Sequence, residues 1–510
     1  MTAGSRRTGA IAYGTGPGRW VLAVAVLGSG IVFLDGTVVN VALPRIGEDL
    51  GAETSALQWI LNGYMLTLAS LILLGGSLGD RFGRRRVFVA GVAWFTVASL
   101  LCAIAPSAGA LVAARLLQGV GGALLTPGSL AMIESSFRPD DRARAIGAWS
   151  GLGGVAAAIG PLLGGWLVEA VSWRAIFLIN VPVGAFVALA AIRRVPETRD
   201  ADAPDGLDGF GALLAAVGLG GVTYALIEAP DAGISTAIIV AAGGGVLGLV
   251  AFIAHERHSP HPMMPLTLFA SRQFTAANLV TFAVYAALGG VFFLLVAFLQ
   301  IAAGYSPVAA GAASLPVTAL MLAFSARSGA LAQRVGARIP LTIGSFVIAA
   351  GMVMMAGIDP GGSYVASVLP AVVVFGAGLT LVVAPVTATV LAAAEARHAG
   401  IASGINNAVS RVGGLLAVAV LPLVAGLTGD AFYDPQAMTD GFHVAMYVTA
   451  ALAAIGGLIA WATIDADVLD RHAPPPEQVP GELSCDVCGP KILPSRREQG
   501  ELAGPSARSP

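Results

Sequence analysis

Lysine is all but missing from this chain of 510 residues: Lys491 is the single one beside 27 arginines. A P-loop needs G-x-x-x-x-G-K-[ST], and Lys491 sits in CGPKIL near the carboxyl end, so an ATP-driven machine of that kind is excluded within this chain. Charge of either sign is scarce, at 11% of residues against roughly 25% in an average soluble domain, which argues against a string of soluble domains. Cysteine is rare as well. Cys102, Cys485 and Cys488 supply no disulfide framework, and CDVC, with no second Cys or His pair, reads as chance spacing rather than a metal or redox site. The six histidines lie mostly in loops and form no H-E-x-x-H, so a membrane metalloenzyme is not expected, nor is any metal or cofactor.

What the chain has instead is apolar length. Hydrophobic residues make up 56%, and 66 glycines suit close helix packing in lipid. A spanning helix needs ~20 mostly apolar residues to cross a core ~30 Å thick. Such runs recur near Trp20–Val41, Ala56–Leu78, Val87–Ala105, Ala110–Ile133, Ala145–Trp166, Ala175–Ile192, Phe210–Ile227 and Ile234–Ala254. A second set falls near Phe274–Ile301, Ala309–Leu331, Ile339–Gly357, Val365–Ala393, Ile401–Leu427 and Phe442–Ile464. The first run follows Arg6, Arg7 and Arg19 and no small-residue cleavage site follows it, so it is expected to be a retained span.

The placement of charge tests this map. With the amino terminus cytoplasmic, the 28 basic residues divide as 24 on the cytoplasmic side, 2 outside (Arg45, Arg174) and 2 within spans (Arg115, Arg411). A missed or invented span would invert every later loop and spoil that segregation. Both termini are therefore expected in the cytoplasm. After about Ile464 the composition turns to Pro, Glu, Arg and Ser, the signature of a disordered tail.

The loop after the second span reads GSLGDRFGRRR, Gly76 to Arg86, and the loop after the tenth reads GALAQRVGARI, Gly329 to Ile339. Gly, Leu, Arg, Gly and Arg recur at an offset of 253 residues, with Gln333 where the first copy has Asp80. A parallel internal repeat signals two related bundles with a site between them. Six spans, two extra spans and six more make fourteen. The expected organisation is a cytoplasmic segment 1–19, a six-helix bundle 20–192, a linker 193–209, two extra spans 210–254, a linker 255–273, a second six-helix bundle 274–464 and a cytoplasmic tail 465–510.

The motifs make a resemblance specific. LDGTVVNVALP (Leu34 to Pro44), LQWILNGYML (Leu57 to Leu66), GDRFGRRR, RLLQGVGGA (Arg115 to Ala123), GPLLGG (Gly160 to Gly165) and WRAIFLINVPVG (Trp173 to Gly184) run through the first half. Together they resemble the fourteen-span drug:proton antiporters (EmrB/QacA-like) of the major facilitator superfamily. One departure is Ala156, where a G-x-x-x-G-P version of the fifth-span motif has glycine. The resemblance implies an all-α membrane protein of the major facilitator fold that exports drugs or other small organic molecules in exchange for protons. It implies a multi-pass protein of the bacterial plasma membrane, working as a monomer, with no nucleic-acid partner and a proton gradient in place of a cofactor. An exporter dedicated to one secondary metabolite, or a proton-coupled uptake carrier, would use the same fold.

The residues themselves point to roles. Asp35 lies about six residues inside the outer end of the first apolar run, ~9 Å below it at 1.5 Å per residue. A carboxylate at that depth must be protonated, paired or wet, which suits a proton carrier as well as a structural hydrogen bond. Arg115, about five residues into the fourth run, lies at similar depth and keeps its charge at any working pH, so it serves either as the partner of a proton switch or as a static lock. The resemblance ties this arginine to proton coupling. Asp80 with Arg84 forms, by resemblance, a cytoplasmic clasp together with Gly76, Arg81 and Gly83; the plain alternative is a solvated anchor. Gly160, Pro161, Gly164 and Gly165 let a helix bend and approach a neighbour closely. By resemblance this span packs on the opposite bundle. A substrate pocket between the bundles is expected to draw on Trp59, Tyr64, Gln118, Trp149, Tyr285, Phe292, Phe293 and Asn406. Arg411, about ten residues into the thirteenth run, has no intramembrane carboxylate in its own half and is expected to meet Asn406, Asn407, backbone carbonyls or an anionic group of the substrate.

Overall fold

In lipid no water pairs with exposed N–H and C=O groups, so long apolar runs close their hydrogen bonds within helices. The computed structural model describes residues 11–200, 206–395 and 398–469. Among them fourteen helices are long and apolar enough to cross a membrane. They are α1 Gly16–Leu50, α2 Thr54–Phe82, α3 Arg84–Ala103, α4 Ala108–Ser136, α5 Pro139–Ala170, α6 Ala175–Arg194 and α7 Gly209–Asp231. There follow α8 Thr236–His258, α9 Arg272–Ile301, α10 Pro307–Val335, α11 Arg338–Met355, α12 Tyr364–Ala392, α13 Ala399–Val424 and α14 Pro435–Thr463. Most of the proposed tail, with its CDVC, lies outside the described residues.

Local chemistry sets the ends and breaks. Ser107, Ser235, Ser271 and Asp434 each accept a hydrogen bond from a backbone N–H in the first turn of the helix that follows. Helix α6 is interrupted at Ile179, where Pro182 has no N–H to give to the carbonyl four residues back. Helix α10 breaks likewise at Ala313–Ser314, three and two residues before Pro316.

Helices α1–α6 form one bundle and α9–α14 a second, and the packing partners repeat. In the first bundle α1 packs on α5 and α6, α2 on α4, α3 on α4 and α6. Eight spans later α9 packs on α13 and α14, α10 on α12, α11 on α12 and α14. The repeated loops share backbone geometry too: Gly83 and Gly336 occupy corresponding positions and both have positive φ, 108° and 83°. Only glycine takes that conformation without strain, and a side chain at Gly83 would also meet the Glu197 carboxylate at 2.6 Å.

Between the bundles, α2 packs on α13 and α5 on α10. These two seams exchange under the same eight-span relation, so they are copies of one interface about a pseudo-twofold axis. The extra helices α7 and α8 join through Gly218, Gly221, Gly245 and Gly248, whose backbones touch. Helix α7 then lies against both α2 and α13, covering one seam from the side.

Hydrogen bonds tie the bundles together at the end that carries Arg45 and Arg174. Gln58 Nε2 donates to the Val418 carbonyl (2.7 Å), Thr54 Oγ1 to Gly429 (2.9 Å), and Gln300 Nε2 to Val41 (3.0 Å). The Tyr433 hydroxyl donates to Ala52 at 2.7 Å. Burial, with the Glu48 carboxylate nearby, pushes that phenol up to about 12, so it is a fixed donor at any working pH. At this end Asp49 also accepts from Trp173 and Arg174, at 2.9 and 2.6 Å, anchoring the turn into α6 on α1.

Helix α1 outruns its apolar stretch in polar sequence and reaches Leu50, about fifteen residues or ~22 Å beyond Asp35. One expectation changes here. Arg327, grouped with the cytoplasmic residues by the charge segregation, falls inside α10.

Candidate functional site

Asp35 faces the interior of the first bundle and is fully buried, as is Arg115 to within 1%. The Arg115 guanidinium pairs with Asp35 Oδ2 through Nη1. A naked buried ion pair is unfavourable unless the remaining lone pairs and protons are satisfied. Here they are. Asp35 Oδ1 accepts from Gln118 Nε2 (2.9 Å) and Asn180 Nδ2 (3.3 Å). Arg115 Nε donates to the Ile60 carbonyl (2.9 Å), and Nη1 also reaches Gln118 Oε1 (2.6 Å). Ser99 closes the ring as acceptor from Gln118 (2.8 Å) and Asn180 (3.4 Å). The guanidinium lies 4.3 Å from the Tyr64 ring centroid and 5.8 Å from that of Phe177. Six helices thus contribute to one cage: α1, α2, α3, α4 and α6 through these residues, with α5 fixing α1 from behind.

That last contact rests on the fifth-span glycines. Gly160 and Gly164 leave no room between α5 and Thr37 or Val38 of α1, while Gly165 meets the backbone of Pro307 and Val308 on α10. Gly311 of α10 in turn abuts the Pro161 carbonyl. The motif therefore sits between the carboxylate-bearing helix on one side and the other bundle on the other.

The Gly76–Arg86 loop is held from within its own bundle. Arg84 Nε donates to Asp80 Oδ1 at 2.9 Å, and Arg84 Nη1 reaches the Ala131 carbonyl at 3.4 Å. The segment after α6 straps across it: Arg84 N donates to Thr198 O (2.8 Å), Asp200 N to Asp80 O (3.1 Å), and Arg85 N to Glu197 Oε1 (3.1 Å). Glu197 also lies 3.4 Å from Arg85 Nε and 3.7 Å from Arg86 Nε. Gly76 packs beside Pro127, and Arg81 lies over the Phe82 ring at 5.4 Å.

The residues expected in one substrate pocket are dispersed. Gln118 is spent on the Asp35 cage and fully buried. Trp59 Nε1 donates to Glu228 of α7 at 2.8 Å, beside a lateral pocket of about 380 Å³ lined by Ser55, Val112 and Leu116, away from the space between the bundles. Trp149 is tied to Ser29 of its own bundle at 3.0 Å. Phe293 is fully buried against Phe432, and Phe292 packs edge-on against Phe375, so both serve the second bundle's core. Tyr64, Tyr285 and Arg411 stand on three helices that pack together, α2, α9 and α13, with Arg411 Nε donating to Asn407 Oδ1 at 3.0 Å. Asn406 Nδ2 instead donates to Thr281 of α9 at 2.8 Å. Sequence reasoning did not find Asn180, Ser99 or Glu197. Asn180 had a signal, since it lies within WRAIFLINVPVG, but nothing in the sequence says which helix it faces.

Two six-helix bundles related by a repeat, two inserted helices and a buried ion pair define a membrane carrier of the major facilitator fold. The sequence profile described as Major Facilitator Superfamily matches residues 25–418, and the chain belongs to that family. Among curated relatives, the tetracenomycin C resistance and export protein of Streptomyces glaucescens is 38% identical, over 82% of this chain and 78% of its own. The puromycin resistance protein of Streptomyces alboniger is 36% identical, over 90% of this chain and 93% of its own. Among solved structures, a bacterial homologue of the human lysosomal transporter Spinster, inward-facing and unoccupied, superposes with a TM-score of 0.63 at 18% identity, covering 91% of this chain and 100% of that one. A peptide transporter in complex with sulfate gives 0.63 at 16% identity, over 87% and 94%. At these identities the structures speak for the fold. The family is one of transporters, so the chain's role is transport rather than catalysis.

Proposed function

We propose that this chain exports drugs or other small organic molecules across a bacterial plasma membrane in exchange for protons, with both termini in the cytoplasm. The names of its relatives, resistance and export proteins for tetracenomycin C and puromycin, support export over uptake. One observation carries the proton coupling: the single carboxylate far from any helix end in the first bundle, Asp35, is fully buried against Arg115. Protonating Asp35 removes the negative partner of a cation that cannot lose its own charge, so the cage must rearrange. Gln118 and Asn180 donate to the same carboxylate, so both would have to re-pair when it takes the proton. Substrate binding between the bundles and protonation at Asp35 would then bias the same two-state equilibrium. With the Arg45 end tied shut by Gln58, Thr54, Gln300 and Tyr433, access between the bundles in this conformation would come from the other end, which the proposed topology puts in the cytoplasm. The Asp80–Arg84 loop, held by Glu197 and Thr198, is the rigid half of the clasp that would engage in the opposite state. No cofactor is needed, since the gradient supplies the work, and each bundle pair encloses its own pathway, so one copy suffices.

Inside-out vesicles test the reading. Imposing an acid-inside gradient should drive accumulation of a transported drug, and adding the drug should release protons from a pH dye within the lumen. Drug loss from the lumen under the same gradient would assign uptake instead and end the proposal.

A second reading, an exporter serving one metabolite made by the same cell, is favoured by relatives such as the probable actinorhodin transporter of Streptomyces coelicolor, 35% identical over 81% of this chain. A panel of compounds in an efflux-deficient host separates a broad exporter from a dedicated one.

A further inference from the structure

The two bundles differ in charge. In the first, Asp35 neutralises Arg115. In the second, residues 272–463 contain five carboxylates, at Asp359, Glu395, Asp430, Asp434 and Asp440, and only Asp440 lies inside a span. It sits in the second turn of α14, exposed and beside Gln436. Yet Arg411 lies at the middle of α13, about twelve residues or ~18 Å from Ala399. Among the described residues its polar contact is Asn407 Oδ1, accepting from Nε at 3.0 Å from the preceding turn of the same helix. Arg327 of α10 has a comparable situation: Nη1 donates to the Ala323 carbonyl of its own helix at 2.6 Å.

A guanidinium at mid-membrane without a carboxylate is costly, and such groups face protein interior or water and mark ligand pathways. Arg411 meets both conditions. It is partly accessible, on the helix that packs against α2 of the other bundle and against α9. Those two helices carry Tyr64 and Tyr285, and Tyr285 is itself partly accessible. The Tyr64 hydroxyl is fully buried and has no hydrogen-bond partner among the described residues, while its ring is held under Arg115. The seam therefore offers a cation with no carboxylate partner among the described residues and a partly accessible phenol, Tyr285.

We propose that this transporter recognises an organic anion, a carboxylate or phenolate on an aromatic frame, with Arg411 as its counter-ion. The proposal rests on the exporter reading above and adds the charge of the cargo. A guanidinium pairs with a carboxylate in a planar two-point contact, and an aromatic body can stack on the partly accessible Tyr285. A cationic drug would meet Arg411 with nothing to offset the repulsion. The anion also accounts for the coupling. It brings the negative charge the second bundle lacks, so loaded and empty carriers differ in charge at the seam that must open.

Two dyes on one xanthene frame provide the test: fluorescein, an anion near pH 7.5, and rhodamine 6G, a cation. Binding is read by dye anisotropy on the full-length protein in nanodiscs, for wild type, Arg411→Gln and Arg411→Lys. Wild type should bind fluorescein in preference to rhodamine 6G. Arg411→Gln should weaken fluorescein by about tenfold or more, while Arg411→Lys, which keeps the charge and loses the fork, should fall between. Rhodamine 6G preferred by wild type, no fluorescein binding by wild type, or fluorescein held equally by Arg411→Gln would each overturn the proposal. Should Arg411→Gln fail to fold, the wild-type dye preference and Arg411→Lys still decide it. Fluorescein binding without gradient-driven movement in vesicles would leave the anion site standing and sink the exchange reading alone.

Discussion

Replacing Asp35 by Asn separates a proton switch from a static lock. Asparagine keeps the shape and can still accept from Gln118 or Asn180, but it leaves Arg115 as a buried charge without its counter-ion. Breaking a buried pair on one side typically costs about 3–5 kcal/mol. The Ile60 carbonyl, Gln118 Oε1 and the Tyr64 ring still surround the guanidinium, which puts the expected loss at the lower end, about 3 kcal/mol. Adding Arg115→Gln removes the stranded charge, so the double variant should recover much of that loss, a coupling measurable as a thermal-unfolding cycle in detergent. Transport is the decisive assay. If Asp35 carries the proton, both Asp35→Asn and the stable double variant lose accumulation driven by a pH gradient, while downhill drug movement persists. If the pair merely locks helices, the double variant restores gradient-driven accumulation along with stability. That result, or undiminished coupling in Asp35→Asn itself, refutes the reasoning.

Further outcomes follow from particular contacts. Gly83→Ala and Gly336→Ala each place a side chain at positive φ and should cost about 1–3 kcal/mol; Gly336→Ala should be the worse, because the added carbon meets the Ala466 backbone carbonyl at 2.2 Å, whereas at Gly83 it meets the Glu197 carboxylate, which can swing aside, at 2.6 Å, and differential scanning fluorimetry ranks the two. Gly311→Leu should wedge α10 from the Pro161 carbonyl and cut transport at normal membrane levels of protein, read as drug susceptibility against an immunoblot. Tyr433→Phe removes one hydrogen bond from the closed end and should shift the balance toward the opposite state by about 0.5–1.5 kcal/mol, visible as a changed distance distribution between spin labels on the α2–α13 side. Asp208 caps α7 through Gly211 N at 2.8 Å; burial raises its carboxyl, but the Gly211 amide and His255 outweigh that and hold it below the usual range. A lowered folded value means stability present above the unfolded pKa and lost as pH falls through the folded one. Asp208→Ala, which removes a cap that Asn would keep, should therefore destabilise by about 1 kcal/mol near neutrality, and the gap to wild type should narrow below pH ~4 in unfolding measurements.

Much of this was legible in the chain because lipid imposes simple rules. Length, hydropathy and the side on which arginines fall are properties of single residues summed along a run, and they placed all fourteen spans. The Asp35–Arg115 pair was legible for the same reason: charges are so rare in the spans that two at similar depth have few other partners. Uncharged polar residues carry no such signal. Ser99 and Asn180 are two among many in their helices, and that both reach Gln118 or Asp35 depends on helix rotation, which periodicity does not reveal in spans apolar all round. Aromatics misled for a related reason. Phe293 and Trp59 are large and central in sequence, yet one fills the second bundle's core and the other answers Glu228 on an inserted helix whose position against α2 no motif announces. That α1 continues through Pro44 to Leu50 was hidden for another reason: the added turns are polar, and hydropathy ends with the apolar stretch.

The repeat explains why a carrier of this kind need not be symmetric in charge. Packing pairs recur eight spans apart, and the glycine turn after α2 recurs after α10, so the two bundles are built alike on either side of shared seams. Function needs them to differ. Where the first copy has Asp80 the second has Gln333, and where the first buries a neutralised Asp35–Arg115 pair the second leaves Arg411 bound to an asparagine. A proton that lands on Asp35 unbalances Arg115; a cargo anion that lands on Arg411 balances it. Tyr64 stands on α2 with its ring under Arg115, and α2 forms the seam with α13, the helix of Arg411. Under the proposed exchange the two ligands would therefore act on the two helices of one seam. Tyr64→Phe, which keeps the ring under Arg115 and deletes only the hydroxyl, should leave folding intact and loosen the proton-to-drug ratio in inside-out vesicles, whereas an unchanged ratio would confine the two events to their separate bundles.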